Sequence, residues 1–436
     1  MKRGRPSRRV TIGENASVSP TNDDRRIALL RQRPFVQFAV ASAAASFAFQ
    51  MMSVAVGWQV YALTHRAFDL GLVGLVQFVP SLLLALPAGH WADRFDRRRI
   101  VLVAQVVATL AIAAMAWLSG AGHLDERGIF GLLFVVGVAL AIEWPAESSI
   151  LPALVPVADL SRAMALSSSG RQAATIVGPA LGGLLYLAGP ATVYAVAAGL
   201  LALSVVLIAT LRYRQVRVPQ EPVTLKTVFA GAAFIKSHPD VLGVISLDLF
   251  AVLLGGATAL LPIFASDILH TNTIGLGVLR AAPAVGALLM SLALARRSIE
   301  SRVGLTMFGA VAGFGVGTLV FAFSTTLWLS VLALFALGAF DMVSVVIRSA
   351  LVQLDTPDAM RGRVNGVNAI FINTSNQLGE FESGLLASWV GAVGAAAIGG
   401  IGTLAVVAVW MLLFPSLRRR QRLHEADEMR SRPSPG

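Results

Sequence analysis

Gly89-His90-Trp91-Ala92-Asp93-Arg94-Phe95-Asp96-Arg97-Arg98-Arg99 holds six charged residues in eleven positions. The flanks, Leu70 to Ala88 and Ile100 to Leu118, hold none. A helix needs roughly 20 apolar residues to cross a bilayer, and each flank is about that long. The stretch is therefore a tight, basic turn joining two membrane spans, and its arginines fix which side of the membrane it faces.

The rest of the chain follows the same pattern. Its 436 residues are 56% hydrophobic and 14% charged, with mean hydropathy +0.72. Soluble domains carry about a quarter charged residues, so the composition predicts an all-α integral membrane protein. There is no cysteine, which excludes disulfides, thiolate metal sites and a cysteine nucleophile. The net charge of +11 sits in tails and alternate loops, as orientation in a membrane requires, and does not point to nucleic acid.

Apolar segments at 35–62, 70–88, 100–119, 129–147, 163–187, 191–210, 241–265, 275–295, 304–323, 327–347, 363–389 and 392–414 predict twelve transmembrane helices, the first an uncleaved span opening at Phe35. One set of loops is basic. It comprises the 1–34 tail with nine Lys or Arg, the 89–99 turn with four, the 211–240 linker with five, Arg296, Arg297 and Arg302, Arg348, Arg361 and Arg363, and the 415–436 tail with six. The opposite loops carry Arg66 and Arg127. The positive-inside rule then puts both termini in the cytoplasm. The division is a basic tail (1–34), a six-helix bundle (35–210), a cytoplasmic linker (211–240), a second six-helix bundle (241–414) and a tail (415–436). Within the linker, Thr224 to Ser237 reads as an amphipathic helix lying at the interface.

The two bundles echo each other. At an offset of 201, Pro156 matches Pro357, Arg162 matches Arg363, Gly178 matches Gly379 and Leu184-Leu185 match Leu385-Leu386; at an offset of 204, Gly71-Leu72 matches Gly275-Leu276. Internal repeats suit two bundles that rock around a central site.

The 89–99 turn resembles motif A of the major facilitator superfamily, through Gly89, Asp93, Arg94, Arg97 and Arg98; Asp96 stands where that family usually has Gly. Gly57 to Thr64, Gly277 to Pro283 and Asn373 to Glu380 resemble the branch of enterobactin exporters and macrolide-efflux proteins. The resemblance implies the major facilitator fold of two pseudo-symmetric bundles in a bacterial cytoplasmic membrane. Independently, Thr356-Pro357-Asp358 reads as an N-cap and N1 proline opening helix 11. Asp93 is expected to latch onto that start, with Arg361 or Arg363, when the cytoplasmic side closes. The arginines are expected chiefly to anchor the loop to headgroups.

Helix 5 carries Gly178-Pro179-Ala180-Leu181-Gly182-Gly183. Its glycines admit a neighbouring backbone, and the proline frees a carbonyl and permits a bend. The run also resembles the antiporter motif, motif C, with Ala174 in place of an upstream glycine; that resemblance implies export in exchange for protons.

Interior charges are expensive in lipid and persist when paired, hydrated or functional. They are Glu143, Arg171, Asp248, Arg280, Asp341, Glu380 and Glu382. Arg280 and Glu380 or Glu382 lie at matching depth and predict a pair. Glu380 and Glu382 lie about 200° apart on a helix and so face different ways. Glu380 is the first candidate for proton coupling, ahead of Glu382, Asp341 and Asp248; a static ion pair is the competing reading. Glu143 and Asp341 occupy equivalent positions on helices 4 and 10. Arg171 suits an anionic substrate or a carboxylate, and Gln50 and Asn376 are candidate substrate contacts. Trp58 and Tyr61 read as an interfacial belt.

No phosphate-binding loop, His-Glu-x-x-His pair or metal-ligand cluster is present in the sequence, and the soluble pieces are short. No enzyme, metal or cofactor is expected. The reading is a monomeric, proton-coupled exporter of a small organic molecule such as a siderophore or drug, working by alternating access. Proton-linked nutrient uptake and a transporter-like receptor or scaffold are the alternatives.

Overall fold

The computed structural model describes residues 29–212, 225–297, 299 and 301–423, apart from the side chains at 85, 86, 93, 225–228 and 359. Among them, ten helical stretches are long and apolar enough to cross a membrane by length and composition. One, Met360–Leu413, is two helices broken at Gly391, whose φ of 77° and ψ of 165° lie outside helical space. A side chain there would be strained, so glycine makes the sharp turn possible. The more polar Leu160–Leu185 adds a further long helix.

The first six are α1 (Arg33–Thr64), α2 (Ala67–Arg94), α3 (Arg97–Gly120), α4 (Glu126–Ser148), α5 (Leu160–Leu185) and α6 (Pro190–Thr210). The second six are α7 (from Pro239), α8 (Thr273–Arg296), α9 (Val303–Ala322), α10 (Leu327–Leu354), α11 (from Asp358) and α12 (ending at Leu413). α7 departs from the expected continuous span. It is α-helical over Pro239–Leu254, then passes through a 3-10 turn, one α turn and a π segment, Phe264–Ile268. Gly255, Gly256 and Pro262 interrupt the ordinary ladder there.

Packing repeats between the halves. α1 lies on α5 and α6, α2 on α4, and α3 on α4 and α6; six helices on, α7 lies on α11 and α12, α8 on α10, and α9 on α10 and α12. The halves meet through α2 against α11 and α5 against α8. The buried face of α1 is rich in alanine, at Ala41, Ala44, Ala45, Ala48 and Ala55. Small side chains let helices approach where lipid offers no hydrophobic drive to associate. Trp117, Trp328 and Trp389, each at least 72% exposed, ring the end away from the linker, where an aromatic belt meets the membrane–water boundary.

The basic turn is built from caps. Asp96 Oδ1 accepts from the Arg99 amide at 3.0 Å and so N-caps α3, which accounts for its place in a motif that usually has glycine. Arg98 donates to the carbonyls of Ile208 (2.9 Å) and Ala209 at the end of α6, and Arg97 to Ser149 O (3.4 Å) beyond α4. Both guanidiniums meet the negative ends of helix dipoles. Asp96→Ala is expected to cost about 1 kcal/mol, read as earlier thermal unfolding in detergent with transport retained.

The linker helix, Leu225–Ser237, packs on α11: a side chain at Gly231 would collide with the Arg363 carbonyl, and Ile235 is buried beside Val364 and Val367. Thr224 lies outside the described residues. Residues 415–423, read from sequence as tail, fold onto the same end. Arg420 pairs with Asp355 at 2.6 and 2.8 Å and approaches Asp240 at 3.7 Å. The carbonyls of Arg420 and Gln421 accept from the first amides of α9, groups that have no partner within the helix.

Candidate functional site

A cavity of about 220 Å³ opens in the second half between α7, α10 and α11. Its polar wall is Asp248, Asp341, Arg348, Ser349, Asn368 and Asn376. Arg348 forms an ion pair with Asp248 across α7 and α10, and its other terminal nitrogen lies 3.8 Å from Asp341. Asp341 and Arg348 are seven residues apart, two turns of one helix face. The sequence reading placed Arg348 in a cytoplasmic loop. It lies within α10, because that helix continues to Leu354 instead of ending near 347. The spacing from Asp341 was the signal available.

Asn376 lines the same cavity and donates its amide to Ile372 O at 2.9 Å. Asp341 and Glu143, read as equivalent, have different surroundings. Glu143 is buried inside the first half, where its Oε1 accepts from Gln105 Nε2 at 2.7 Å and Ser204 Oγ donates to Gln105 Oε1 at 3.0 Å. It belongs to a chain linking α4, α3 and α6, and not to the cavity.

A second cluster joins the halves at the end away from the linker. Arg280 (α8) donates to Ser53 Oγ (α1) at 2.8 Å. Glu380 (α11) is the carboxylate whose charge acts on it, and Glu380 packs against Gly74 of α2, where a larger residue would strike its side chain. Glu380 and Glu382 make no ion pair with Arg280 within 4 Å among the described residues, so the expected pair is a longer-range one, between Arg280 on Ser53 and Glu380 against Gly74. Tyr61 is buried and donates to Asp267 in the π segment, so it ties α1 to α7 and is no belt residue; Trp58 packs on the same core. Thr273 Oγ1 donates to Gly183 O at 2.8 Å.

The helix 5 motif divides its contacts. Gly178 admits the side chain of Gln50, Gly182 the Met51 backbone, and Gly183 the Thr273 carbonyl of α8; Gly277 in turn admits the Pro179 carbonyl. Arg171 stays on its own helix, donating to Ser167 Oγ at 3.2 Å and Ser168 Oγ at 3.1 Å.

At the linker end there is open space beside three glycines of α2 and α11: a side chain at Gly89, Gly362 or Gly366 would meet nothing within 4 Å. Arg94 is exposed, Arg363 donates to Met360 Sδ at 3.7 Å, and the Asp93 side chain lies outside the described residues. α11 starts at Asp358 with Pro357 in the N-cap position. Thr356, expected as the cap, makes no such bond and its hydroxyl is buried without a partner, because the chain turns one residue later.

Residues 25–433 match the family of transmembrane secretion effectors. The chain belongs to this family of major facilitator transporters. The enterobactin exporter EntS of Citrobacter koseri is 27% identical over 376 residues, covering 85% of this chain and 89% of that one; the EntS of Shigella boydii is 26% identical over 372 residues at the same coverage. Among solved structures, a bacterial homologue of the iron transporter ferroportin in an inward-facing state superposes with a TM-score of 0.68 at 17% identity, over 89% of this chain and 99% of that one. A bacterial homologue of the lysosomal transporter Spinster, inward-facing and unoccupied, gives 0.67 at 14% identity, over 93% and 99%. The transporter is a multi-pass membrane protein with the major facilitator fold, and not an enzyme.

Proposed function

We propose that the transporter exports a small amphipathic organic molecule in exchange for protons, as a monomer in a bacterial inner membrane with both termini cytoplasmic. The observation that carries this reading is the Asp248–Arg348–Asp341 cluster on a cavity wall, in a molecule whose halves are tied together at the end away from the linker. A charged cluster inside a span is a substrate or ion pathway by default. With the basic linker end in the cytoplasm, the conformation is inward-facing. The outer closure is then Tyr61–Asp267, Thr273–Gly183 and Arg280–Ser53.

Glu380 and Arg280 sit where α1 and α2 must withdraw for the outer end to open. Opening would wet the Glu380 carboxylate, and closing would bury it again, so it is the first candidate to carry the proton. Asp341 and Asp248 follow it. The resemblance of Gly178-Pro179-Ala180-Leu181-Gly182-Gly183 to the antiporter motif and the enterobactin-exporter relatives favour export over uptake, and the interior ion clusters disfavour a receptor or scaffold.

The test is accumulation in inverted vesicles under an imposed pH gradient, screening dyes, antibiotics and catecholate siderophores. Gradient-driven uptake should collapse with an uncoupler and be lost in Glu380→Gln. Accumulation indifferent to the gradient contradicts antiport.

In the outward-facing state Asp93 is proposed to latch to the start of α11. Asp93→Asn is expected to slow transport about tenfold and raise the inward-facing share, scored by accessibility of cysteines introduced at the linker end. Unchanged transport and accessibility would remove the latch.

A further inference from the structure

The cavity between α7, α10 and α11 is unevenly charged, and the inequality says what it binds. Its three ionised groups sum to one negative charge. They are not equally reachable: the side chains of Asp248 and Arg348 are 10% and 11% exposed, whereas that of Asp341 is 44% exposed. The guanidinium meets Asp248 through one terminal nitrogen, and its other terminal nitrogen lies 3.8 Å from Asp341. A bound anion would share the guanidinium with two carboxylates and meet a site of net negative charge. A bound cation meets an open carboxylate and displaces nothing. Asn376 adds to this. One of its two amide hydrogens goes to Ile372 O, so it offers the cavity an acceptor, Oδ1, beside the one remaining N–H. Valines and isoleucines, among them Val244, Val345 and Ile372, complete the wall and weaken the competing hydration of a charge placed there. About 220 Å³ is below the ~300–1,000 Å³ of sites that enclose a whole drug-sized molecule, so the cavity holds a head group.

We propose that Asp341 and Asn376 form a subsite for the cationic head group, a protonated or quaternary amine, of an amphipathic organic substrate. This rests on the reading that the cavity is the transport site, and it narrows that reading to one class of charge.

The test uses the full-length transporter in nanodiscs of zwitterionic phosphatidylcholine, so that the membrane favours neither charge. Calorimetry compares benzyltrimethylammonium with benzenesulfonate, a cation and an anion on the same ring. The cation is expected to bind at least tenfold more tightly. Asp341→Asn should weaken it tenfold or more, and Asp341→Glu should keep most of the affinity, which separates loss of charge from loss of folding. Asn376→Trp, which fills the cavity, should abolish binding. If the anion binds more tightly and Asn376→Trp abolishes that binding, the cavity stands as the site and the cationic subsite is overturned. If Asn376→Trp leaves the affinity of whichever probe binds unchanged, or neither probe binds, the siting of the function falls and the subsite with it.

Discussion

Arg348→Leu is expected to leave less than a hundredth of wild-type transport. Arg348 is the cation between two acids, on α7 and on its own helix, and the wall of the cavity takes its shape from that pair of contacts. Removing it leaves Asp248 buried beside valine and isoleucine with no countercharge. Breaking a buried pair from one side costs about 3–5 kcal/mol, whereas removing both partners together is often neutral. Two outcomes therefore distinguish the roles. In thermal unfolding, Arg348→Leu should be strongly destabilised, and the double variant Asp248→Asn with Arg348→Leu should recover most of that loss. Transport should stay absent in the double variant, since the charge arrangement at Asp341 is not restored. Equal stability of the single and double variants would mean that the ion pair does not hold α7 to α10. Recovery of transport would mean that it serves packing alone.

The second large effect is expected at Gly183. A Cβ there would fall on the carbonyl of Thr273, whose own hydroxyl donates to Gly183 O at 2.8 Å. Across the same seam, Gly277 lies against the carbonyl of Pro179. Two backbones from opposite halves are in contact here because neither position has a side chain, and alternating access requires the seam to part when this end opens. Gly183→Val should therefore act on one state. Overpacking costs about 1–3 kcal/mol, and a bias of that size moves a two-state equilibrium by roughly 5- to 150-fold. The variant should fold, populate mainly the conformation open at the far end, and transport at least tenfold more slowly. Labelling of a cysteine introduced at His270 should rise accordingly. A variant that unfolds earlier but keeps the wild-type labelling would show that the seam belongs to both states.

Much of the fold is legible in the chain because it depends on local, additive features. A run of about 20 uncharged residues between polar turns is a span whatever its neighbours are. The offset matches, such as Gly178 with Gly379, mark positions that pack closely in each half, Gly379 against the Val252 and Leu253 carbonyls of α7 as Gly178 against Gln50 of α1. What stayed hidden depends on direction. Arg348 reads as one more basic loop residue until α10 is known to run on to Leu354, and then the seven-residue step from Asp341 makes it a partner. Tyr61 sits at the depth of a belt residue; only the π segment of α7, which brings Asp267 to it, makes it part of a closure. Glu143 and Asp341 match in position along the chain, yet Gln105 holds one inside its bundle while the other is open to a cavity. Hydropathy gives the depth of a residue along a helix, and the packing of neighbouring helices decides which way it faces.

The chain has no natural cysteine, so spin labels can be placed without removing any. Double electron–electron resonance on two cysteine pairs tests whether the two bundles rock about the cavity: Phe95 with Arg361 across the linker end, and Arg66 with His270 across the far end. Acidification in the presence of a transported compound should shorten the first distance while it lengthens the second. If the two distances change together, or neither changes while transport proceeds, the bundles do not alternate and the account is contradicted.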